Sequence, residues 1–368
     1  MEGFGKQDSV LNSRKFFVIL ALLLYCTAAQ QSPDEWFLRW PPPTTAVAYR
    51  TAQPPVIDGR TDDPVWTSAK WSEPFVDITG ERSRAPWYAT RMGMAWDDSA
   101  LYIAAMMEEP HVWATLRQRD TVIFQNNDFE VFIDPDGDNH QYVEFEVNAL
   151  NTVWDLKLEQ PYRDGGRGNT KWNAEGLRTA VHIRGTMNEP ADIDTSWSVE
   201  FAIPWKVFED LTAAHVPPLP GNVWRVNFAR VEWPVEIVGG SYRKPAKGEE
   251  NWTWSPQGIV NMHQPERWGT VEFLEEGMTP EHPDVAMENA RRAVMEVYHA
   301  QKQFFRMHRR WAYDTQELNA ALSRPLNAFV RIEITEEGFV AILPLGSEPE
   351  SDAVIVRQDS KISPSQLP

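Results

Sequence analysis

Short stretches whose side chains alternate apolar and polar by twos recur along most of this chain, and they constrain its fold more than any other feature. Residues 128–133 (DFEVFI), 141–147 (QYVEFEV) and 223–231 (VWRVNFARV) are the clearest, the last with Trp224, Val226 and Phe228 on one face. Such a period puts every second side chain on the same side of a strand. Residues 89–96 and 101–106 flank the turn Asp97-Asp98-Ser99 and read as a hairpin. Residues 153–158, 177–183, 197–203 and 270–273 add further short strands, and turn formers such as Asp58-Gly59 and the run 134–139 separate them. The sequence therefore predicts a mainly β chain whose body, residues 49–276, is an antiparallel β-sandwich of jelly-roll or immunoglobulin-like kind. Of the 17 tryptophans, all but Trp311 lie between Trp36 and Trp268, so the core of that body is aromatic.

The period changes after Gly277-Met278-Thr279-Pro280. Met287, Ala290, Val294, Val297, Gln301, Phe304, His308 and Trp311 stand three or four apart, predicting one long amphipathic helix with Pro283 in its first turn. Asp314 can cap a shorter helix, and residues 328–335 and 339–345 flank Glu336-Glu337-Gly338 as a hairpin, with 353–356 as a candidate third strand. The C-terminal unit, residues 281–358, is thus expected to be α+β: a long helix on a small hairpin sheet. Residues 359–368 are expected to be a disordered tail, and the proline-rich 30–48 a linker.

Residues 1–29 have the layout of a secretory signal: Lys6, Arg14 and Lys15, an apolar run over 16–25, then Thr27-Ala28-Ala29. Secreted, periplasmic or cell-surface placement is the expectation, with no membrane insertion once the signal is cleaved. Cys26 is the sole cysteine, so the cleaved chain has neither disulfide, thiol nucleophile nor thiolate zinc site. The formal charge is −18; the first 29 residues carry +1, so their removal leaves −19. That charge, with no basic stripe, disfavours nucleic acid and anionic lipid as partners and places no penalty on a neutral sugar.

Several motifs occur in a fixed order: Ile57-Asp58-Gly59, Asp63-Pro64-Val65-Trp66, Trp96-Asp97-Asp98-Ser99-Ala100-Leu101-Tyr102, Asn127 through Pro135, Glu144-Phe145-Glu146-Val147-Asn148-Ala149, Trp197 through Trp205, Trp224-Arg225-Val226-Asn227-Phe228 and Asn251-Trp252-Thr253-Trp254-Ser255-Pro256. Over about residues 50–275 the series resembles the family 9 carbohydrate-binding modules and their DOMON-like relatives. The resemblance implies an exported, non-catalytic protein that captures poly- or oligosaccharide, with a sugar ring clamped between aromatic side chains, and an accessory role in carbohydrate catabolism. It maps the family's acidic contact to Glu130 and one clamp aromatic to Phe124. The family's arginine falls at Glu146, a charge reversal, and its second clamp tryptophan falls near Met262. Phe124, Glu130, Glu146, Asn148, Trp252, Trp254 and Met262 are the candidate carbohydrate contacts, with Trp113 on another loop. No cofactor is required by this reading.

Some members of the family hold structural calcium. Here Asp134, Asp136 and Asp138 alternate around Gly137, which reads either as an oxygen-rich calcium loop or as a hairpin turn of solvated acids; Phe145 stands where an EF-hand needs its glutamate. Two other functions stay open: a structural or protein-interaction sandwich that has lost sugar binding, and a glycoside hydrolase using Glu144 or Glu146 with Asp155. No G-x-S-x-G or H-E-x-x-H occurs. Through Tyr298 to Phe305, Trp311-Ala312-Tyr313 and Glu317-Leu318, about residues 283–345 are weakly similar to type IV pilin-like and pseudopilin proteins, implying a surface for an exported protein partner.

Overall fold

The computed structural model describes residues 33–39, 41–246, 248–281, 284–326, 330–346 and 352–366. The expected signal segment, Cys26 and Pro283 lie outside them. In chain order the body contains β1 (Thr45–Arg50), a helical turn α1 (Pro64–Ser68), β2 (Val76–Asp77), β3 (Thr90–Trp96), β4 (Ala100–Glu108), β5 (Asp128–Asp134), β6 (Tyr142–Asn148), β7 (Val153–Leu158), β8 (Gly168–Asn169), β9 (Arg178–Arg184) and β10 (Ser196–Pro204). Then come β11 (Val223–Glu232), β12 (Glu236–Val238), β13 (Ser241–Arg243), β14 (Glu250–Thr253) and β15 (Gly269–Leu274).

Except for the small β12–β13 ribbon, these strands form one curled sheet in the order β8-β7-β6-β5-β11-β15-β1-β3-β4-β10-β9, with β14 also paired to β11 and β2 paired to β14. The sheet folds over on itself. Phe129 of β5 meets Phe201 of β10 at 6.1 Å between ring centroids, and Trp224 of β11 meets Phe273 of β15 at 5.1 Å and the loop residue Trp205 at 5.8 Å. The expected aromatic sandwich core is therefore present. Its pairing is antiparallel except at β1, which runs parallel to both β15 and β3 and joins the two halves.

One motif shows how local sequence fixes the framework. Gly59 sits at φ +86°, and a β-carbon there would come within 2.4 Å of the backbone of Val181 and His182. Only glycine fits that approach. The turn it makes delivers the amides of Asp58 and Gly59 to Glu200 Oε2, at 3.0 and 2.7 Å, while Trp66 Nε1 donates to Oε1 at 2.6 Å. The Ile57-Asp58-Gly59 and Val65-Trp66 motifs thus serve one buried carboxylate on β10.

The C-terminal unit is the long helix α2 (Val285–His308), the short α3 (Thr315–Ala320) and a four-stranded antiparallel sheet of β16 (Arg331–Ile334), β17 (Phe339–Pro344), β18 (Asp352–Arg357) and β19 (Ile362–Gln366). Asp284 caps α2 by accepting from Ala286 N and Met287 N, and Asp314 caps α3 by accepting from Glu317 N. Val294, Val297 and Phe304 of α2 bury against Phe339, Ala341, Val354 and Val356 of the sheet.

Two boundaries differ from expectation. Residues 359–368 do not simply fray, since β19 pairs with β18 from Val356↔Ile362 to Asp352↔Gln366. Residues 30–48 are not a plain linker: β1 begins at Thr45, and in the 3₁₀ turn Pro33–Leu38 the side chains of Phe37 and Leu38 are buried in the core of the C-terminal unit.

Candidate functional site

Alternation along β5 sends Phe129, Val131 and Ile133 into the sandwich core and leaves Asp128, Glu130, Phe132 and Asp134 on the outer face. On β6 the same rule puts Tyr142, Glu144 and Glu146 outside. Register then decides which acids meet. Glu130 lies directly opposite Glu146, and Phe132 opposite Glu144, while on the far side Glu146 pairs with Trp154 and Glu144 with Leu156 of β7. Four carboxylates, Asp128, Glu130, Glu144 and Glu146, are thereby gathered on one patch of sheet.

The surroundings are aromatic. Phe124 and Trp154 stand 6.4 Å apart at the Glu146 side, and Phe124 donates its backbone N–H to Glu146 Oε2 at 3.0 Å. On the Glu144 side His263 Nε2 lies 3.8 Å from that carboxylate, His263 Nδ1 is 3.1 Å from the Tyr142 hydroxyl, and the Tyr162 ring meets the His263 ring at 4.5 Å. Met262 and Trp268 roof the patch together with Phe132 and Tyr142, the Trp268 indole N–H donating to Met262 O at 2.7 Å. The acids are nearly covered, Glu130 and Glu144 each retaining 5 % exposure, whereas Phe124 at 38 % and Tyr162 at 45 % open to solvent.

Burial is the first cause of every shift in the patch. It pushes the carboxyls of Asp128, Glu130 and Glu146 well above the usual range, reinforced for each by neighbouring acids. Glu144 rises to about 8, burial outweighing a hydrogen bond with Glu146 that favours its charged form. His263 falls to about 3, because burial and then Arg163 disfavour its cation. At neutral pH it is a neutral ring and cannot balance the acids.

The candidates from sequence divide in two. Phe124, Glu130, Glu146 and Met262 belong to the patch. Asn148 lies at its edge, but its amide is committed to the backbone: Nδ2 donates to Leu116 O at 2.9 Å and Oδ1 accepts from Leu150 N and Thr152 N, each at 3.0 Å. Trp252 and Trp254 are elsewhere. Trp252 is buried between Trp87 and Tyr88 with the Arg230 guanidinium 5.2 Å from its ring. Trp254 packs on Phe228 in the core at 5.7 Å and forms part of a groove of about 780 Å³ away from the acids. Trp113 is buried beside a cavity of about 490 Å³ with Gln125, Asn126, Asn188 and Tyr242. Trp254→Ala should therefore destabilise the sandwich by about 3–5 kcal/mol, as large aromatic truncations in cores do. Urea unfolding checks this; an unchanged midpoint would place the ring outside the core.

Asp155 does not join Glu144 and Glu146. It pairs with Phe145, on the opposite face, and accepts from Ala174 N at 2.6 Å. The turn Asp134–Asp138 brings three carboxylate oxygens within 4.8 Å. Both oxygens of Asp134 already accept from backbone, Gly137 N and Asn139 N at 2.9 Å each, and Asp138 pairs with Lys361 Nζ at 3.0 Å. Residues that the sequence alone did not single out for this patch are Asp128, Trp154 and Tyr162. The parity of β5 and β7 was a signal for the first two; Tyr162 comes from a loop with no periodic signal.

Residues 57–229 match the family model described as carbohydrate family 9 binding domain-like. That segment is similar to the carbohydrate family 9 binding domain. The acidic patch lies largely within it, β5 and β6 being inside the matched segment, while Met262, His263 and Trp268 come from beyond it. Among solved structures the chain is similar to a family 9 module of Caldicellulosiruptor kristjanssonii in complex with cellotriose, at 18 % identity and TM-score 0.41, covering 66 % of this chain and 100 % of that one. The same organism's module in complex with glucose gives 18 % identity and TM-score 0.40, over 65 % of this chain and 98 % of that one. No curated protein matches the chain. No described helix is long and apolar enough to cross a membrane.

Proposed function

We propose that this is an exported, non-catalytic protein that captures poly- or oligosaccharide at the outer face of β5, β6 and β7, with the ring held at the mouth of the acidic patch by Phe124 and Tyr162. The observation that carries the reading is the family 9-like domain whose own strands place hydroxyl-accepting carboxylates between two exposed aromatic rings. Sugars present C–H faces that stack on such rings and hydroxyls that donate to carboxylates. Glu130 and Glu144 keep enough exposure to be reached from the mouth.

Affinity electrophoresis through soluble glucans and xylans, with a glycan array to choose the ligand, tests it. Phe124→Ala should weaken retention about tenfold, the loss of about 1.4 kcal/mol, and leave unfolding nearly unchanged because the ring is exposed. Retention equal to wild type in both Phe124→Ala and Tyr162→Ala would move the glycan away from this mouth. Failure of the unaltered protein to bind any glycan would leave a sandwich that serves structure alone.

A further inference from the structure

Asp128, Glu130 and Glu146 each offer one carboxylate oxygen, and the three oxygens lie within 4.8 Å of one another. Ca²⁺ takes oxygen ligands at about 2.3–2.6 Å, so three oxygens so spaced fit on the surface of a single calcium coordination sphere. Mg²⁺ prefers to keep several waters and is seldom held by an all-protein carboxylate cage.

A second observation points to a bound cation independently of that spacing. Asp128 is fully buried, and its Oδ2 has no hydrogen-bond partner among the described residues. Its other oxygen accepts from Val231 N at 3.2 Å. Glu130, 5 % exposed, accepts no hydrogen bond among the described residues. Natural proteins rarely leave buried carboxylate oxygens without donor or cation. The nearby basic groups are engaged elsewhere: Arg230 pairs with Glu109 at 2.9 Å and Glu232 at 2.7 Å, and Arg163 with Glu266 at 2.8 Å. By contrast, the acids of the turn Asp134–Asp138 are supplied with backbone donors and Lys361.

We infer that Asp128, Glu130 and Glu146 form a calcium-binding site on the outer face of β5 and β6, with Glu144 beside Glu146 on the same strand face. The ion supplies the positive charge that a protein side chain does not provide there. Its binding needs no sugar, so the site stands or falls separately from the glycan reading.

Calorimetric titration of the chelator-treated full chain with CaCl₂, alongside thermal unfolding, is the experiment. One ion per chain should bind and raise the midpoint. Glu130→Gln and Asp128→Asn, each near-isosteric, should weaken binding by about 30-fold or more, as loss of a charged ligand does. Asp136→Asn should stay within about twofold of wild type. Circular dichroism at 25 °C verifies that each variant is folded, and Glu146→Gln replaces any that is not. Absence of heat and of a midpoint shift overturns the assignment. So does calcium binding lost in Asp136→Asn but kept in Glu130→Gln, and so does D-glucosamine, with its ammonium group, binding through Glu130 where calcium does not.

Discussion

Arg163→Ala is expected to cost about 3–5 kcal/mol and to loosen the C-terminal unit from the sandwich, the usual consequence of removing one partner from a buried ion pair. Arg163 lies in the loop between β7 and β8 and reaches several acceptors at once. It donates to Glu266 Oε2 at 2.8 Å, Gln264 Oε1 at 2.5 Å and His263 O at 3.2 Å, and to the Tyr298 hydroxyl of α2 at 3.3 Å. Tyr298 in turn donates to Asp164 Oδ1 at 2.5 Å, and Lys302 pairs with the same oxygen at 2.8 Å. His299 meets Glu266 Oε1 at 2.9 Å. Without the guanidinium, Glu266 would remain buried with a neutral histidine as its chief partner, since burial holds His299 down at about 4.

The pH dependence of this contact has a definite sign. Burial would raise the Glu266 carboxyl, but Arg163 and His299 bring it down to about 2. A carboxyl lowered by folding stabilises above its unfolded value, about 4.3, and that contribution fades as pH falls toward 2. In Arg163→Ala the acid limb of the stability curve should move upward in pH. Hydrogen exchange over residues 285–308 and urea unfolding at pH 3–7 measure both effects. Unfolding within about 1 kcal/mol of wild type, with unchanged exchange in α2, would show that the contact holds little.

The β body was legible in the sequence because each strand carries its own alternation. DFEVFI and QYVEFEV need no partner to reveal which face is buried. β1 was not legible, since its pairing is with β15, more than two hundred residues away, and a proline run precedes it. β19 was hidden too: ISPSQ is polar and holds a proline, and only the edge of β18 makes a strand of it.

The acidic patch was half legible. Parity put Glu130 and Glu146 outside, but which carboxylates face each other is a matter of register, which no single strand encodes. Residue type misled for the tryptophans. An indole that could clamp a sugar is the same indole that fills a core, and Trp252 and Trp254 fill the core. The exposed rings at the mouth are a phenylalanine and a tyrosine instead.

In the presence of chelator, stability should fall as pH rises from about 4.5 to 8, the reverse of the trend set by Glu266. Glu144 has its folded value raised to about 8, first by burial. A group raised by folding gives its full stabilisation below the unfolded value, about 4.3 for glutamate, and loses it as pH climbs through the folded one. Asp128, Glu130 and Glu146 are shifted in the same direction, so they add to the loss. The facing groups do not oppose it: His263 is neutral, burial and the acids push the Tyr142 and Tyr162 hydroxyls upward, and Arg230 acts on Asp128 only as a lesser opposing influence behind burial. The loss should reach several kcal/mol, because each pH unit between the folded and unfolded values is worth about 1.4 kcal/mol. Glu144→Gln removes one of these charges, so at pH 8 the chelated variant should be more stable than wild type. Saturating calcium should recover the wild type's stability, by about 4 kcal/mol at a thousand times the dissociation constant. Urea midpoints from pH 4 to 9, with chelator and with calcium, decide the matter. A chelated protein whose stability rises toward pH 8, with Glu144→Gln less stable than wild type, would mean that these carboxylates have partners of their own and that no cation is needed.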